Sequence, residues 1–402
     1  VKAGWESKTI GELAETGAGG TPLKSNKAFY DGGNIPWLLS GEVGRRRITS
    51  ASNFITDAGL AGSSAKMFPS QSILVAMYGA TAGEVGTLQF PAATNQAVCA
   101  IMPNEAFVPD FLYYYLLATK RELVAQAVGG AQPNISQAKI RAVSVPLPPL
   151  EEQQAIVDKL DRAFAGLETA RANAEANLEN AKELFQSILD KVIGNAVESP
   201  EARPLQDVTL KIGSGATPKG GKAAYKTEGI ALVRSMNVHD LRFKHEGLAY
   251  IDEQQAKALQ NVETRPDDVL INITGASIAR CCIVDPDILQ ARVNQHVAIL
   301  RPDPEQIESK YLELSLVSST NKRRLLKDGD EAGATRQALT KAGLQAFKIG
   351  IPSLSVQRQV EEEVAILKVE TDRLEEEYTR QLEDLDELKQ SLLQKAFAGE
   401  LT

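Results

Sequence analysis

Basic side chains recur in two stretches of this chain, in settings suited to binding phosphate. Arg45, Arg46 and Arg47 close a loop after the apolar run Ile35-Pro36-Trp37-Leu38. Arg234, Asn237, His239, Arg242 and Lys244 follow the comparable run Ile230-Ala231-Leu232-Val233. Upstream, Thr21, Lys24 and Lys27 precede Tyr30, and Thr217, Lys219 and Lys222 precede Tyr225. Guanidinium and ammonium groups hold phosphates, while Arg and Asn also reach base edges, so basic groups interleaved with amides suit nucleic-acid contact. A solvated surface is the plainer reading of any one of these residues. Their recurrence in both stretches argues for the set. Trp37 and Tyr30 read as core rather than contacts.

No catalytic constellation accompanies them. Gly215 to Lys222 resembles a phosphate loop, but Ala216 fills the first glycine position and Ala223 the magnesium-binding Ser/Thr position. Gly79, Gly83 and Gly86 follow a strand as a cofactor turn would, yet the second stretch keeps only Gly275. Pro286-Asp287 with Glu308-Ser309-Lys310 imitates a nuclease pattern, but Glu308–Lys310 leads into a predicted helix and has no partner in the first half. His239, His245 and His296 lack metal spacing. No Asn/Asp-Pro-Pro-aromatic tetrapeptide exists, so an amino-methyltransferase active site is absent.

The elements that position the basic stretches come as a duplication. Gly19-Gly20-Thr21-Pro22 returns as Gly215-Ala216-Thr217-Pro218, 196 residues on. Asn95-Gln96-Ala97-Val98 returns as Asn294-Gln295-His296-Val297, at an offset of 199. From Gly129/Gly333 the offset holds at 204, through Pro148/Pro352, Gln153/Gln357, Leu184/Leu388 and Lys191/Lys395. Loops tolerate insertion, so their offset drifts; packed helices do not, so theirs is constant.

Charge follows the same partition. The net charge is -8, but residues 1–150 hold 12 basic and 10 acidic residues, and 201–355 hold 21 and 19. The excess acid lies in 151–200 (5 basic, 10 acidic) and 356–402 (6 and 13), so whole-chain charge is a poor guide to partners. These acidic segments carry apolar heptads. Ile156, Leu160, Leu167, Leu184 and Ile188 line the first seam; Val360, Val364, Leu367, Leu374, Leu385, Leu388 and Leu392 line the second. Asn177 and Gln381 fall at the same heptad position, where one polar residue fixes register. The spacing predicts two long helices packed as an antiparallel coiled coil.

The basic segments read as mixed α/β. Residues 72–77 and 268–273 are matching strands, and Phe111–Leu117 matches Tyr311–Leu316 as one buried helix. Ser136 and Thr340 sit where N-caps belong. With 402 residues, the domains divide as 1–150, 151–198, 199–355 and 356–402. Three cysteines without CxxC exclude a disulfide scaffold and fit a reducing cytoplasm. No long apolar run predicts a membrane span.

Four passages make the chain resemble the specificity subunits of type I restriction–modification enzymes over nearly its whole length. They are GGTP with IPWLLSGEV, GGAQPNIS with VPLPPLEEQQAIVDKLD, GATP with IALVRSMNV, and the terminal QSLLQKAFAGELT. Ser353-Leu354-Ser355-Val356-Gln357 departs from Pro149-Leu150-Glu151-Glu152-Gln153, which makes the two junctions chemically unlike. The resemblance implies two α/β (α+β) target-recognition domains, each reading half of a bipartite, asymmetric site on double-stranded DNA. It implies helices that set the spacer and dock two methyltransferase subunits, to which restriction/translocase subunits join. The chain itself would be non-catalytic and bind no cofactor, with AdoMet, ATP and Mg on its partners. Two other readings stay open on the residues alone: a coiled-coil scaffold with two protein-binding modules, and the recognition subunit of a type II-like methyltransferase–nuclease.

Overall fold

The computed structural model describes residues 4–126, 134–195, 202–218, 221–330 and 338–401. Gly129, Lys219 and Gly333 lie outside the described residues. The chain divides into two compact units, Val1–Glu175 with Arg380–Thr402, and Ala176–Thr379. Each unit therefore combines one mixed α/β body with part of both long helices, Leu150–Asn195 and Leu354–Ala398.

The two bodies repeat one topology. In the first, the strands Thr16–Ala18, Val98–Ile101, Ile73–Ala76 and Val85–Leu88 pair in that order, extended at the edge by Arg47–Ile48. In the second, Thr209–Ser214, Val297–Pro302, Val269–Asn272 and Cys281–Ile283 follow the same order. A smaller sheet in each carries a parallel pair: Ile35–Leu38 beside Ala92–Thr94, and Ile230–Val233 beside Arg292–Val293. The backbone even enters the left-handed region at the same places, Gln71 and Asp267, Gly79 and Gly275, Gly83 and Ala279. The duplication extends to turn geometry.

The central strands are buried on both faces, which is why they read as unbroken apolar runs. Successive side chains point to opposite faces, so alternate residues feed different cores. Ile73 and Val75 join the helix-facing core, with Phe111 and Tyr114 of the helix Pro109–Ala125. Leu74 and Ala76 join the other core, with Leu38 of the smaller sheet. Val269 and Ile271 against Leu270 divide in the same way. Ser136 and Thr340 cap short helices, accepting from the amides of Lys139 and Gly343 at 3.3 and 3.0 Å.

Within each unit the long helices run antiparallel. In the first unit, Lys389 lies 5.3 Å over the Phe164 ring, while Arg171 Nη1 meets Asp386 Oδ1 at 2.6 Å. In the second, Val360 and Val364 pack with Leu189, Val192 and Ile193. The terminal AFAG passage locks the first unit. Phe397 meets Phe111 and Tyr115 edge-on at 5.3 and 5.1 Å, and Gly399, at φ +83°, ends the helix.

The seam differs from a strict heptad. Ile156, Leu160, Val360 and Val364 are buried, and Leu167, Ile188, Leu367, Leu374, Leu385 and Leu392 are partly buried. Leu184 and Leu388, however, are 45% and 47% exposed, and Asn177 and Gln381 are exposed too. Phe185, Leu189, Lys389 and Leu393 take the inward positions instead. A straight α-helix repeats every 3.6 residues, so a 3.5-residue pattern drifts about 20° per heptad and slips by one residue over the length of such a helix. Both helices slip at the same place. The polar pair therefore does not fix register within the seam.

Each long helix is also stitched to its body by a buried glutamine. Gln153 Nε2 donates to the Pro148 carbonyl (2.9 Å), and its Oε1 accepts from the Val108 amide (2.8 Å). Gln357 does the same with Pro352 (2.8 Å) and Glu308 (2.8 Å). The dissimilar junction sequences thus build one joint. Among the described residues, no helix is long and apolar enough to cross a membrane.

Candidate nucleic-acid interface

The basic loops lie at the ends of the smaller sheets. In the first unit the turn after Ile35–Leu38 is closed by Glu42, whose carboxylate accepts from the Leu39 and Ser52 amides at 2.9 Å each. In the second the same position is Asn237. Its Oδ1 accepts from the Arg234 amide (3.0 Å) and its Nδ2 donates to the Lys244 carbonyl (2.9 Å). Asn237 is fully buried, with both ends of its amide engaged, so it shapes the loop and presents nothing to a ligand.

Arg46 is likewise withdrawn from the candidate surface. Its Nη2 meets Asp110 at 2.9 Å and Asp161 at 2.7 Å, and its guanidinium stacks 4.9 Å over the Tyr114 ring. Tyr114 also donates to Asp161, at 2.5 Å. Burial works against the charge of Arg46, but the Asp161 hydrogen bond and the two carboxylates outweigh it and raise its pKa. Arg46 therefore ties the loop to the helix Pro109–Ala125 and to the first long helix. Arg45 is exposed, and Arg47, 60% exposed, reaches Asp110 only at 3.6 Å.

Replacing Arg46 by alanine is expected to lower the stability of the first unit by about 2–3 kcal/mol, below the range for a fully buried pair because the cluster is partly exposed. At a few degrees per kcal/mol for a unit of this size, its thermal transition should fall by roughly 5–10 °C. Arg46→Lys should recover little, since an ammonium cannot span two carboxylates and a ring face. An unchanged melting temperature with weakened duplex binding would return Arg46 to the contact set.

The remaining residues divide by exposure. Lys24 is exposed, and so is Lys27 on its short turn. Arg242 is exposed on the edge strand Arg242–Phe243, at the position matching Arg47. Lys222 sits on the turn Gly221–Ala224. Lys244 pairs with Glu246 at 2.9 Å, and the His239 ring approaches the Met236 carbonyl at 3.2 Å. Arg234 donates to the Gly247 carbonyl and lies 5.5 Å over the Tyr225 ring. His239 and Arg242 line an open groove together with Lys182, Arg280 and Lys368 and with Asp372, Glu375 and Glu376.

Sequence spacing missed one arrangement. In both units the glycine loop meets the Asn-Gln turn. The Gly20 amide donates to the Thr94 carbonyl (2.9 Å) and the Gly215 amide to that of Asn294 (3.2 Å). A Cβ on Gly19 would stand 2.1 Å from the Thr94 oxygen, and one on Gly215 1.7 Å from that of Val293, so only glycine permits the approach. Trp37 and Tyr30, read as core, brace the first loop: Trp37 Nε1 donates to Gly20 (3.0 Å) and the Tyr30 hydroxyl to Pro22 (2.5 Å). Thr21 then donates to Gln96 Oε1, and Thr217 to Gln295 Oε1. Both glutamines are exposed. The repeated Asn-Gln dipeptide was their only signal in the sequence.

Among the described residues, no group of three or more His, Cys, Asp or Glu is placed to hold a metal ion.

Residues 2–178 match the family model described as the type I restriction modification DNA specificity domain. The chain is 30% identical over 162 residues to the EcoR124I/EcoR124II specificity subunit of Escherichia coli, covering 39% of this chain and 40% of that one. The EcoBI specificity subunit, also from Escherichia coli, is 26% identical over 335 residues, covering 78% of this chain and 70% of its own length. Among solved structures, one described as the structural basis underlying complex assembly and conformational transition of the type I R-M system shares this fold. It aligns with a TM-score of 0.78 at 20% identity, covering 100% of this chain and 99% of that one.

Proposed function

We propose, from this chain's similarity to the specificity subunits of type I restriction–modification enzymes, that it is the non-catalytic subunit that selects the DNA target. Each unit reads one half of a bipartite, asymmetric site. The observation that carries this reading is the repeated body: one strand order, built twice, each copy carrying exposed basic residues after the first strand of its smaller sheet, Arg45 and Arg47 in one and Arg242 in the other. Two similar but unlike readers suit two unlike half-sites. The long helices, 46 and 45 residues, fix the unread spacer and dock two methyltransferase subunits. Methyl transfer, with its AdoMet, and ATP- and Mg-dependent translocation and cleavage belong to partner subunits, in the cytoplasm.

The test is duplex binding by the chain assembled with its methyltransferase partner, measured across salt concentration. Each phosphate contact by Lys or Arg contributes close to one to the slope of log K against log salt, so several exposed cations predict a steep fall. Mapping of methylated genomic positions should return a two-part motif with an unread centre. Binding that is flat with salt would favour a scaffold that contacts proteins instead.

A further inference from the structure

We propose that the paired threonine and glutamine of each unit, Thr21 with Gln96 and Thr217 with Gln295, form a sequence-independent clamp on the DNA sugar–phosphate backbone. The inference rests on the DNA-recognition reading above and deepens it. The side-chain pair is not needed to close the loop. Main-chain hydrogen bonds from Gly20 and Gly215 already join it to the Asn-Gln turn. The turns themselves are closed by Asn95 and Asn294, which accept from the amides of Ala97 (3.2 Å) and His296 (2.9 Å). What the threonine adds is order in an exposed side chain. With Oε1 held by a hydroxyl, the amide is fixed at the surface and Nε2 is left to donate to a ligand. In the second unit Gln295 Nε2 also lies 3.1 Å from His296 Nε2, which engages one of its two hydrogens and leaves the other. A long side chain ordered before binding loses less entropy on binding.

The ligand follows from comparing the two units. Their basic loops diverge, Arg45-Arg46-Arg47 standing where the second unit has Asp240-Leu241-Arg242. The threonine–glutamine pair is the same in both, although the sequence offset is 196 at the threonine and 199 at the glutamine. An element shared by two readers of different sequences must bind what every duplex shares. Glutamine amides are regular donors to phosphate oxygens, and such contacts set position and orientation without carrying sequence information.

The experiment compares Gln96→Ala, Gln295→Ala, Gln96→Glu and Gln295→Glu in the chain assembled with its methyltransferase partner, on duplexes carrying the cognate site, single-base variants and unrelated sequence. Each alanine variant should bind all of them roughly ten-fold more weakly, as for the loss of one hydrogen bond to a charged group. The ranking of sequences should not change, and the salt slope should hold, because the amide is neutral. The glutamate variants keep the oxygen that accepts from threonine but replace the donor with a negative charge, so they should lose at least as much. A purely structural role predicts that glutamate behaves like glutamine; that result overturns the clamp. So does a loss confined to one base position, which would make the glutamine a base reader. Failure of the unaltered complex to bind any duplex overturns the DNA reading and the clamp together, whereas salt-sensitive binding unaffected by all four variants overturns the clamp alone.

Discussion

Inserting seven residues at Asn177 and at Gln381 is expected to move methylation to sites whose unread spacer is longer by up to about three base pairs. Seven helical residues add about 10 Å, and base pairs rise about 3.4 Å along the duplex. Both positions are exposed and correspond in the two helices, so the insertion interrupts no buried contact of either side chain. Seven residues fall about 20° short of two full turns, which leaves the apolar stripe in phase with its partner. One inserted residue would rotate the stripe by about 100° and bring acidic side chains into the seam, so that variant should be inactive. The half-site sequences should stay as they were. Sequencing of methylated positions in cells carrying the extended chain and its partners reads both quantities at once. An active enzyme with the original spacer would show that helix length does not set the separation.

The largest loss of stability is expected at Asp268. This carboxylate is wholly buried and takes two parallel hydrogen bonds from Arg301, Nε to Oδ1 at 2.7 Å and Nη2 to Oδ2 at 2.8 Å. It also accepts from the Arg265 amide, at 2.7 Å. Asp268→Asn preserves the shape and removes the charge, leaving the guanidinium of Arg301, only 13% exposed, without its counter-ion. Breaking a buried pair from one side costs about 3–5 kcal/mol. For a unit of this size that lowers the melting temperature by about 10 °C. The paired replacement Asp268→Leu with Arg301→Met should be much milder, since two apolar groups leave no stranded charge. Calorimetry should show the second unit's transition moving and the first unit's staying in place. Equal losses in the single and double variants would mean that the site suffers from lost packing rather than stranded charge.

The duplication and the helix positions were legible because their signals are local and repeated. A constant offset of 204 marks segments whose length packing does not allow to vary, and both long helices begin within two residues of the predicted boundaries. The phase of the apolar stripe was harder to read. Leu184 and Phe185 are neighbours of similar hydrophobicity, and only the accumulated difference between 3.5 and 3.6 residues per turn turns Phe185 inward. Arg46 misleads for another reason. In sequence it is the middle of an arginine triplet, while the carboxylates that claim it lie 64 and 115 residues away. Gln96 stands 75 residues from Thr21, so no spacing rule joins them. Side chains whose partners are distant in sequence acquire their roles from topology, and composition does not reveal them.

The glutamine joint at the start of each long helix has a consequence for how such a chain changes over generations. Gln153 and Gln357 grip their bodies through main-chain carbonyls and amides. Such an attachment is blind to the identity of what it holds. A body that brings the same backbone path to that point offers the glutamine the same partners, while side-chain ties such as Arg46–Asp161 and Glu308–Arg358 must still be matched. Recombination between related chains can therefore break and rejoin at this joint without rewriting it. Exchange of whole bodies is then a shorter route to a changed surface than accumulating compatible point changes.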